Sequence, residues 1–384
     1  MANSIYFDNN ATTQIAPEVF AAMRPFLSDE FGNPSSAHHR GREVKEAVNL
    51  ARANIASLIG ASDPDEVFFT SCGTESDNWA IRGVLSADPD RRHIVTTRVE
   101  HEAIRKMCAD LEKNDYEVTW LDVDQTGILD LENLRRSLRK DTAIVSIMLA
   151  NNETGVLFPV AEVARIVKEN SSAVFHTDAV NAAGKVSIDL KNSQIDLLSV
   201  SAHKFHGPKG VGALYIRRGT AINSFLIGGG QEHGLRAGTE AVHQIAGFGE
   251  AAHLASDLSQ MERVRRMRDL LEDGILRAIP NAYLNGSPDR DNRLPNTLNI
   301  SFASTNGEAI LARLDEIGVC VSTGSACNSA NLTASAVLQA MNVPYSRSMG
   351  SIRFSLGRYN TDEEVEFVLE RLPGIVEGLR AMAA

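Results

Sequence analysis

From about residue 44 to residue 260 short apolar runs alternate with amphipathic stretches, and this alternation constrains the fold more than any other feature of the chain. The runs are "EVFFT" (66–70), "HIVTT" (93–97), "TAIVSIML" (142–149), "SAVFHTDA" (172–179) and "IDLLSVSA" (195–202). Between them lie helical patterns such as "EVKEAVNLARANIASLIG" (43–60) and "AEVARIVKEN" (161–170). Strand and helix in steady alternation predict an α/β protein, its mostly parallel sheet covered by helices. Ligands of such sheets gather beyond the carboxyl ends of the strands. From residue 261 the texture changes. A long amphipathic helix, "MERVRRMRDLLEDGILRAI", is followed by "NTLNISF", "GEAILARLDEIGVCVS", "SAVLQAMN" and "GSIRFSLG", which predict a smaller α+β region.

Composition narrows the function classes. With a net charge of −11 and no basic block, the chain offers no nucleic-acid surface. It contains no apolar stretch of the roughly 20 residues that span a bilayer, and "MANSIYFDNNATT" lacks the pattern of a signal peptide. Four irregularly spaced cysteines without a CxxC pair suit a reducing cytoplasm and argue against a structural zinc site.

Several strand ends carry unusual residues. "FFTSCGTESDN" runs from a strand through Gly73 and Thr74 into a helix, whose exposed N–H groups suit a phosphate; a capping box of Thr74 with Asp77 is the competing reading. "VFHTDAV" closes an apolar strand with Asp178, which needs a cation or donors if buried, and a structural ion pair would serve. "VSAHKFHGPKG" places Lys204 at another strand end, either as a nucleophile toward carbonyls or as a snorkelling surface lysine. His203 and His206 have no carboxylates patterned beside them to suggest a metal. His101 follows the strand "HIVTTRV", where a ring can lie over a flat ligand, whereas His38 and His39 look like solvated loop. Cys320 reads as a core thiol; Cys327, in "STGSACNSA", sits among small polar residues that favour loop backbone.

Together a phosphate site, an acid and a lysine at one sheet edge match the needs of pyridoxal phosphate. No GxGxxG opens the first helix, and "AVNAAGKV" lacks the glycine and hydroxyl of a Walker loop, so nucleotide binding is the weaker idea.

The ordered motifs "YFDNNATT" (6–13), "FGNPSSAH" (31–38), "FTSCGTESDN" (69–78), "VEH" (99–101), "NNETG" (151–155), "HTDAV", "SAHKFHGPKGVG", "GGGQEHGLRAGTE" (228–240), "RLPNTLNISF", "STGSAC" and "IRFSLGRYN" (352–360) cover nearly the whole chain. In them the chain resembles the class I cysteine desulfurases of the NifS/IscS type, within the fold-type I pyridoxal phosphate enzymes. The resemblance implies a mixed, mostly parallel seven-stranded sheet in a large domain of residues 16–260. A small α+β domain would comprise residues 1–15 and 261–384 and carry the Cys327 loop.

By position, Lys204 would be the Schiff-base lysine, Asp178 the partner of the ring nitrogen, and His101 the stacking and proton-transfer residue. Gly73, Thr74, Ser201 and His203 would hold the phosphate, and Asn152 would lie near the ring hydroxyl and the substrate. Arg353 would clamp the carboxylate of L-cysteine. Thr239 would reach the phosphate of a second subunit, which implies a homodimer. Cys327 would accept the sulfur as a persulfide, pass it to an iron–sulfur scaffold or another acceptor protein, and transiently ligate a nascent cluster; no resident metal is implied.

Two departures stand out. Asn181 occupies the place of a family glutamine that donates to the ring hydroxyl, and it is one methylene shorter. The sequence also stops at "GLRAMAA", short of the tail with which housekeeping members help dock a scaffold. The rival readings are a selenocysteine lyase, an aminotransferase, which would not need Cys327, and a sulfur-carrier protein without catalysis.

Overall fold

The computed structural model describes residues 4–323 and 334–383. A short strand, β1 (Ile5–Tyr6), opens the described chain. The large sheet follows with β2 (Val67–Thr70), β3 (His93–Thr97), β4 (Glu117–Leu121), β5 (Thr142–Ser146), β6 (Val174–Asp178), β7 (Leu197–Ser201) and β8 (Gly212–Ile216). Its spatial order is β2-β8-β7-β6-β5-β3-β4. Only β8 runs against its neighbours, pairing antiparallel with both β2 and β7. The carboxyl ends of the other six strands therefore share one edge. The expected mixed, mostly parallel seven-stranded sheet is present, with β4 and β8 as strands the apolar runs did not announce.

Apart from the edge strand β4, the strands are buried on both faces because helices cover each side. Val67, Phe69, Val95, Val145, Phe175, Leu198 and Val200 point into one apolar cluster, to which Ile55 and Phe248 contribute from helices His39–Leu58 and Val242–Ala255. Phe68, Ile94, Ile144, Leu197 and Leu214 point the other way, toward Trp79, Ile81 and Ile104. This alternation is the period-2 geometry of a pleated strand with two covered faces.

Past the long helix Ser259–Ala278, the later strands are β9 (Ala282–Leu284), β10 (Thr297–Phe302), β11 (Val319–Cys320) and β12 (Ser351–Ser355). β10 pairs antiparallel with both β12 and β9, while β11 pairs with β1. They pack with helices Ser259–Ala278, Gly307–Glu316 and Asp362–Ala383 around a separate apolar cluster that includes Phe7. Residues 8–16 link this cluster to the large sheet: Asp8 bridges to Ser355, and Thr13 N–H donates to the His203 carbonyl at 3.0 Å. His39 opens a helix with His38 as its N-cap, so this pair caps a helix and does not lie in loop. Among the described residues no helix is long and apolar enough to cross a membrane.

Candidate active site at the sheet edge

The carboxyl ends of β2, β3, β5, β6 and β7 converge on one cleft of about 180 Å³. Gly73, Thr74, His101, Asn152, Asp178, Asn181, Ser201, His203 and Lys204 all line it, joined by Cys72, Asp77, Met148, Ala150 and Val180. Residues more than 130 positions apart in sequence meet here because parallel strands deliver their last residues to the same edge.

The strand β2 ends at Thr70, and helix Gly73–Ala87 starts three residues later. Its N-cap, Cys72, makes no side-chain capping bond. The capping box of Thr74 with Asp77 is therefore not formed: Asp77 lies in the second turn, on the inward face, 1% exposed. Glycine at position 73 has a steric reason, since an added Cβ would fall 2.7 Å from Val180 Cγ2. Gly73 and Thr74, at this helix start, line the cleft, and a helix N-terminus favours anions.

Asp178, the last residue of β6, is 6% exposed and accepts a 2.8 Å hydrogen bond from the Val180 N–H. Burial raises its pKa; His101, the Val180 N–H and Lys204 work against that rise. The carboxylate is thus a buried acceptor looking for a cation. Lys204 sits one short turn beyond β7, its ammonium donating to the carbonyls of Asn10 at 2.6 Å and Ala11 at 3.1 Å. His101 caps helix Glu102–Glu112, its Nδ1 accepting from Ala103 N–H at 3.2 Å, so the other ring nitrogen is left for the cleft. Burial and then Lys204 lower its pKa against the pull of Asp178. His203 is pushed down to about 4 by burial and by Lys204, Lys209 and Lys185, and is a neutral ring at pH 7.

Among the described residues, three buried polar atoms in the cleft have no hydrogen-bond partner: Asp77 Oδ1, Ser201 Oγ and Asn181 Oδ1. Such atoms cost free energy unless a ligand or water meets them.

The remaining positions stand elsewhere. Arg353 does not line the cleft: its guanidinium donates to Asp8 at 2.7 Å and to the Asn152 carbonyl at 3.1 Å, with Nε buried and unpartnered. Thr239 is exposed, away from this chain's own cleft, on the glycine-rich loop. That loop is pinned by a buried, bidentate Arg52–Glu232 pair at 2.7 and 2.8 Å and by Arg236 on Glu75 at 2.8 Å. Cys327 lies outside the described residues.

Sequence reading missed three participants. Asp77 was read only as a cap, although its spacing of four from Gly73 puts both on one helix face. Asn10 and Lys185 gave no local signal. Asn10 links Lys204 to Lys185, whose ammonium donates to Asn10 Oδ1 at 3.4 Å and to the Asn181 carbonyl at 2.9 Å.

A sheet-edge cleft holding a lysine, an acid and an anion-ready helix start defines a class of cofactor enzyme, and the sequence comparisons agree. The chain belongs to the class-V aminotransferase family, whose profile matches residues 5–368. It is similar to cysteine desulfurase 2 of Trichormus variabilis, with 52% identity over 380 residues, covering 99% of this chain and 94% of the relative. Among solved structures it is similar to a NifS-like protein at TM-score 0.91 and 38% identity, covering 98% of this chain and all of the other. It also matches SspA in complex with cysteine at TM-score 0.82 and 32% identity, covering 93% and 100%.

Proposed function

We propose that the protein is a pyridoxal phosphate-dependent cysteine desulfurase that converts L-cysteine to L-alanine and takes the sulfur onto Cys327. The observation that carries the reading is that Lys204, Asp178 and the Gly73 helix start line one cleft. The named activity of the relatives and the cysteine held by SspA support the substrate.

The cleft fits the cofactor on its own terms. Ser201 Oγ and Asn181 Oδ1 lack partners that a phosphate and a ring hydroxyl, through its O–H, would supply. The missing Cβ of Gly73 makes room for Val180 beside a helix start whose first N–H groups have no partner within the helix. Asp178 offers the buried carboxylate a pyridinium nitrogen needs. When bound, pyridoxal phosphate supplies an aldehyde that condenses with amines and a ring that withdraws electrons.

The chain's own residues then divide the work. Gly73, Thr74, Ser201 and His203 would hold the phosphate, and Asp178 would hold the ring nitrogen. Lys204 would hold the cofactor through its aldehyde carbon, and its Nζ would take the substrate Cα proton. The carbonyls of Asn10 and Ala11 keep that amine close. His101 covers the ring face and moves a proton at the nitrogen not engaged by Ala103. Arg353 binds the substrate carboxylate, with Asn152 beside it. Cys327 attacks the substrate sulfur as thiolate: the C–S bond breaks, an S–S bond forms, and a proton completes the alanine methyl group. The persulfide passes to an acceptor protein such as an iron–sulfur scaffold. Thr239, exposed on its pinned loop, completes the phosphate site of a second copy, in a cytoplasmic homodimer.

The test is direct. Protein loaded with pyridoxal phosphate and given L-cysteine should release alanine and sulfide in equal amounts with a thiol reductant, and Lys204→Ala should release neither. Alanine from selenocysteine alone would move the assignment to a selenocysteine lyase.

A further inference from the structure

Behind Asp178 stands a second acid. Oxygen atoms of Asp77 and Asp178 and a ring nitrogen of His101 lie within 4.8 Å of one another. Asp77 Oδ1 is buried and has no hydrogen-bond partner. The surroundings of the two carboxyls differ. Asp178 has the Val180 N–H and lies near the positive charge of Lys204, with the His101 ring, whose pKa burial lowers, beside it. Asp77 is faced by Asp178 and His176 from β6, Ser199 from β7, Glu100 from the segment before His101, and Cys72 from its own helix start.

His176 brings no charge. It is fully buried between Ser146 Oγ at 2.9 Å and Ser199 Oγ at 3.0 Å, and burial drives its pKa down to about 3. Its Nε2 is 3.7 Å from Asp77, so the contact is that of a neutral ring. Burial, Asp178 and Glu100 raise the Asp77 pKa well above the ordinary carboxylate value, against the pull of the Ser199 hydroxyl.

We propose that Asp77 is a positioning residue for Asp178: the two carboxyls share one proton, which resides on Asp77 and leaves Asp178 as the charged member that meets the cofactor ring. Two like carboxylates at this distance in a dry site do not both ionise. The Val180 N–H and the Lys204 ammonium near Asp178 decide which of them does. A neutral Asp77 then serves as packing and as a hydrogen-bond donor beneath the ring, and the net charge presented to the pyridine nitrogen is a single one. This inference rests on the pyridoxal phosphate reading for the identity of the ring, while the shared proton itself is a property of the chain.

The experiment follows the carboxyl proton by infrared difference spectroscopy, with and without cofactor, and needs no turnover. At pH 7 the wild type should show a neutral carboxyl C=O component beside that of Glu100, whose pKa burial pushes up to about 8, and Asp77→Asn should lose that one component and keep the other. In Asp178→Asn, relief of the neighbouring charge should lower the pH at which the Asp77 band disappears by about one unit or more. A second readout is the equilibrium affinity for pyridoxal phosphate. Asp77→Leu should lose about tenfold, one lost hydrogen bond, and Asp77→Asn should recover most of it, because an amide reproduces a neutral acid. A band unaltered by Asp77→Asn, a titration indifferent to Asp178→Asn, or an Asn variant as weak as Leu would each overturn the proposal. None of these outcomes depends on L-cysteine, so a failed desulfurase assay and a failed proton assignment are told apart.

Discussion

Lys185 carries an ammonium where there is little to welcome it. The side chain is 7% exposed, and it reaches only the Asn181 carbonyl at 2.9 Å and Asn10 Oδ1 at 3.4 Å. Burial, then Lys204 and Arg353, push its pKa down to about 7 from an ordinary 10.5. An unfolded chain therefore binds this proton more tightly than the folded one between those two values. The stability this group allows is fully present above about 10.5 and is lost as pH falls toward 7. A displacement of that size corresponds to about 5 kcal/mol at its limit.

Between pH 7.5 and 9.5 the wild type should gain about 2 kcal/mol from Lys185 alone. Lys185→Met removes the proton and keeps the length of the chain, giving up two hydrogen bonds at every pH. Urea unfolding of the cofactor-free proteins, at one fixed protein concentration, isolates the effect as the difference between two curves. The Met variant should stand highest relative to wild type at pH 7.5 and lose that standing as pH rises. Parallel curves from pH 7.5 to 9.5 would refute the reasoning, since a lysine held charged in both states has no such slope.

Three further outcomes are expected. Gly73→Val places a side chain where even a Cβ meets Val180 at 2.7 Å, and fluorescence titration should show pyridoxal phosphate affinity reduced by about tenfold or more. Glu100, which burial pushes up to about 8, stabilises the fold below the ordinary carboxylate range and loses that contribution as pH rises toward 8. Denaturation midpoints of Glu100→Gln should therefore gain on wild type from pH 5 to 8 and level off beyond. Glu232→Ala leaves Arg52 buried without its partner and should cost about 3 kcal/mol in urea unfolding.

How much of this lay open in the sequence depended on whether the signal was local. "HIVTT" announced β3 to the residue, because a strand buried on both faces is an unbroken apolar run. Glu117–Leu121 did not, because it lies at the sheet edge with three half-buried residues in succession. Gly212–Ile216 was hidden behind the turn "GPKG", and nothing local says that it runs against its neighbours. The cleft residues stood out where a polar group ends an apolar strand, as Asp178 and Lys204 do. Asp77 did not stand out, since an acid near a helix start reads as a cap until the face it occupies is known. Asn10 and Lys185 meet 175 positions apart, and Arg353 meets Asp8 across 345, contacts fixed only by the tertiary fold. Asn181 was legible as a shortened glutamine, but the lack of any partner for its Oδ1 belongs to the structure.

The central claim is that this chain moves sulfur from L-cysteine to its own Cys327. A single turnover of the pyridoxal phosphate-loaded protein, with alanine counted per active site, tests it most directly in wild type and Cys327→Ala. The account predicts about one alanine from the wild type and almost none from the variant at the same time. Equal alanine from both would remove Cys327 from the reaction, and alanine from neither would contradict the desulfurase itself.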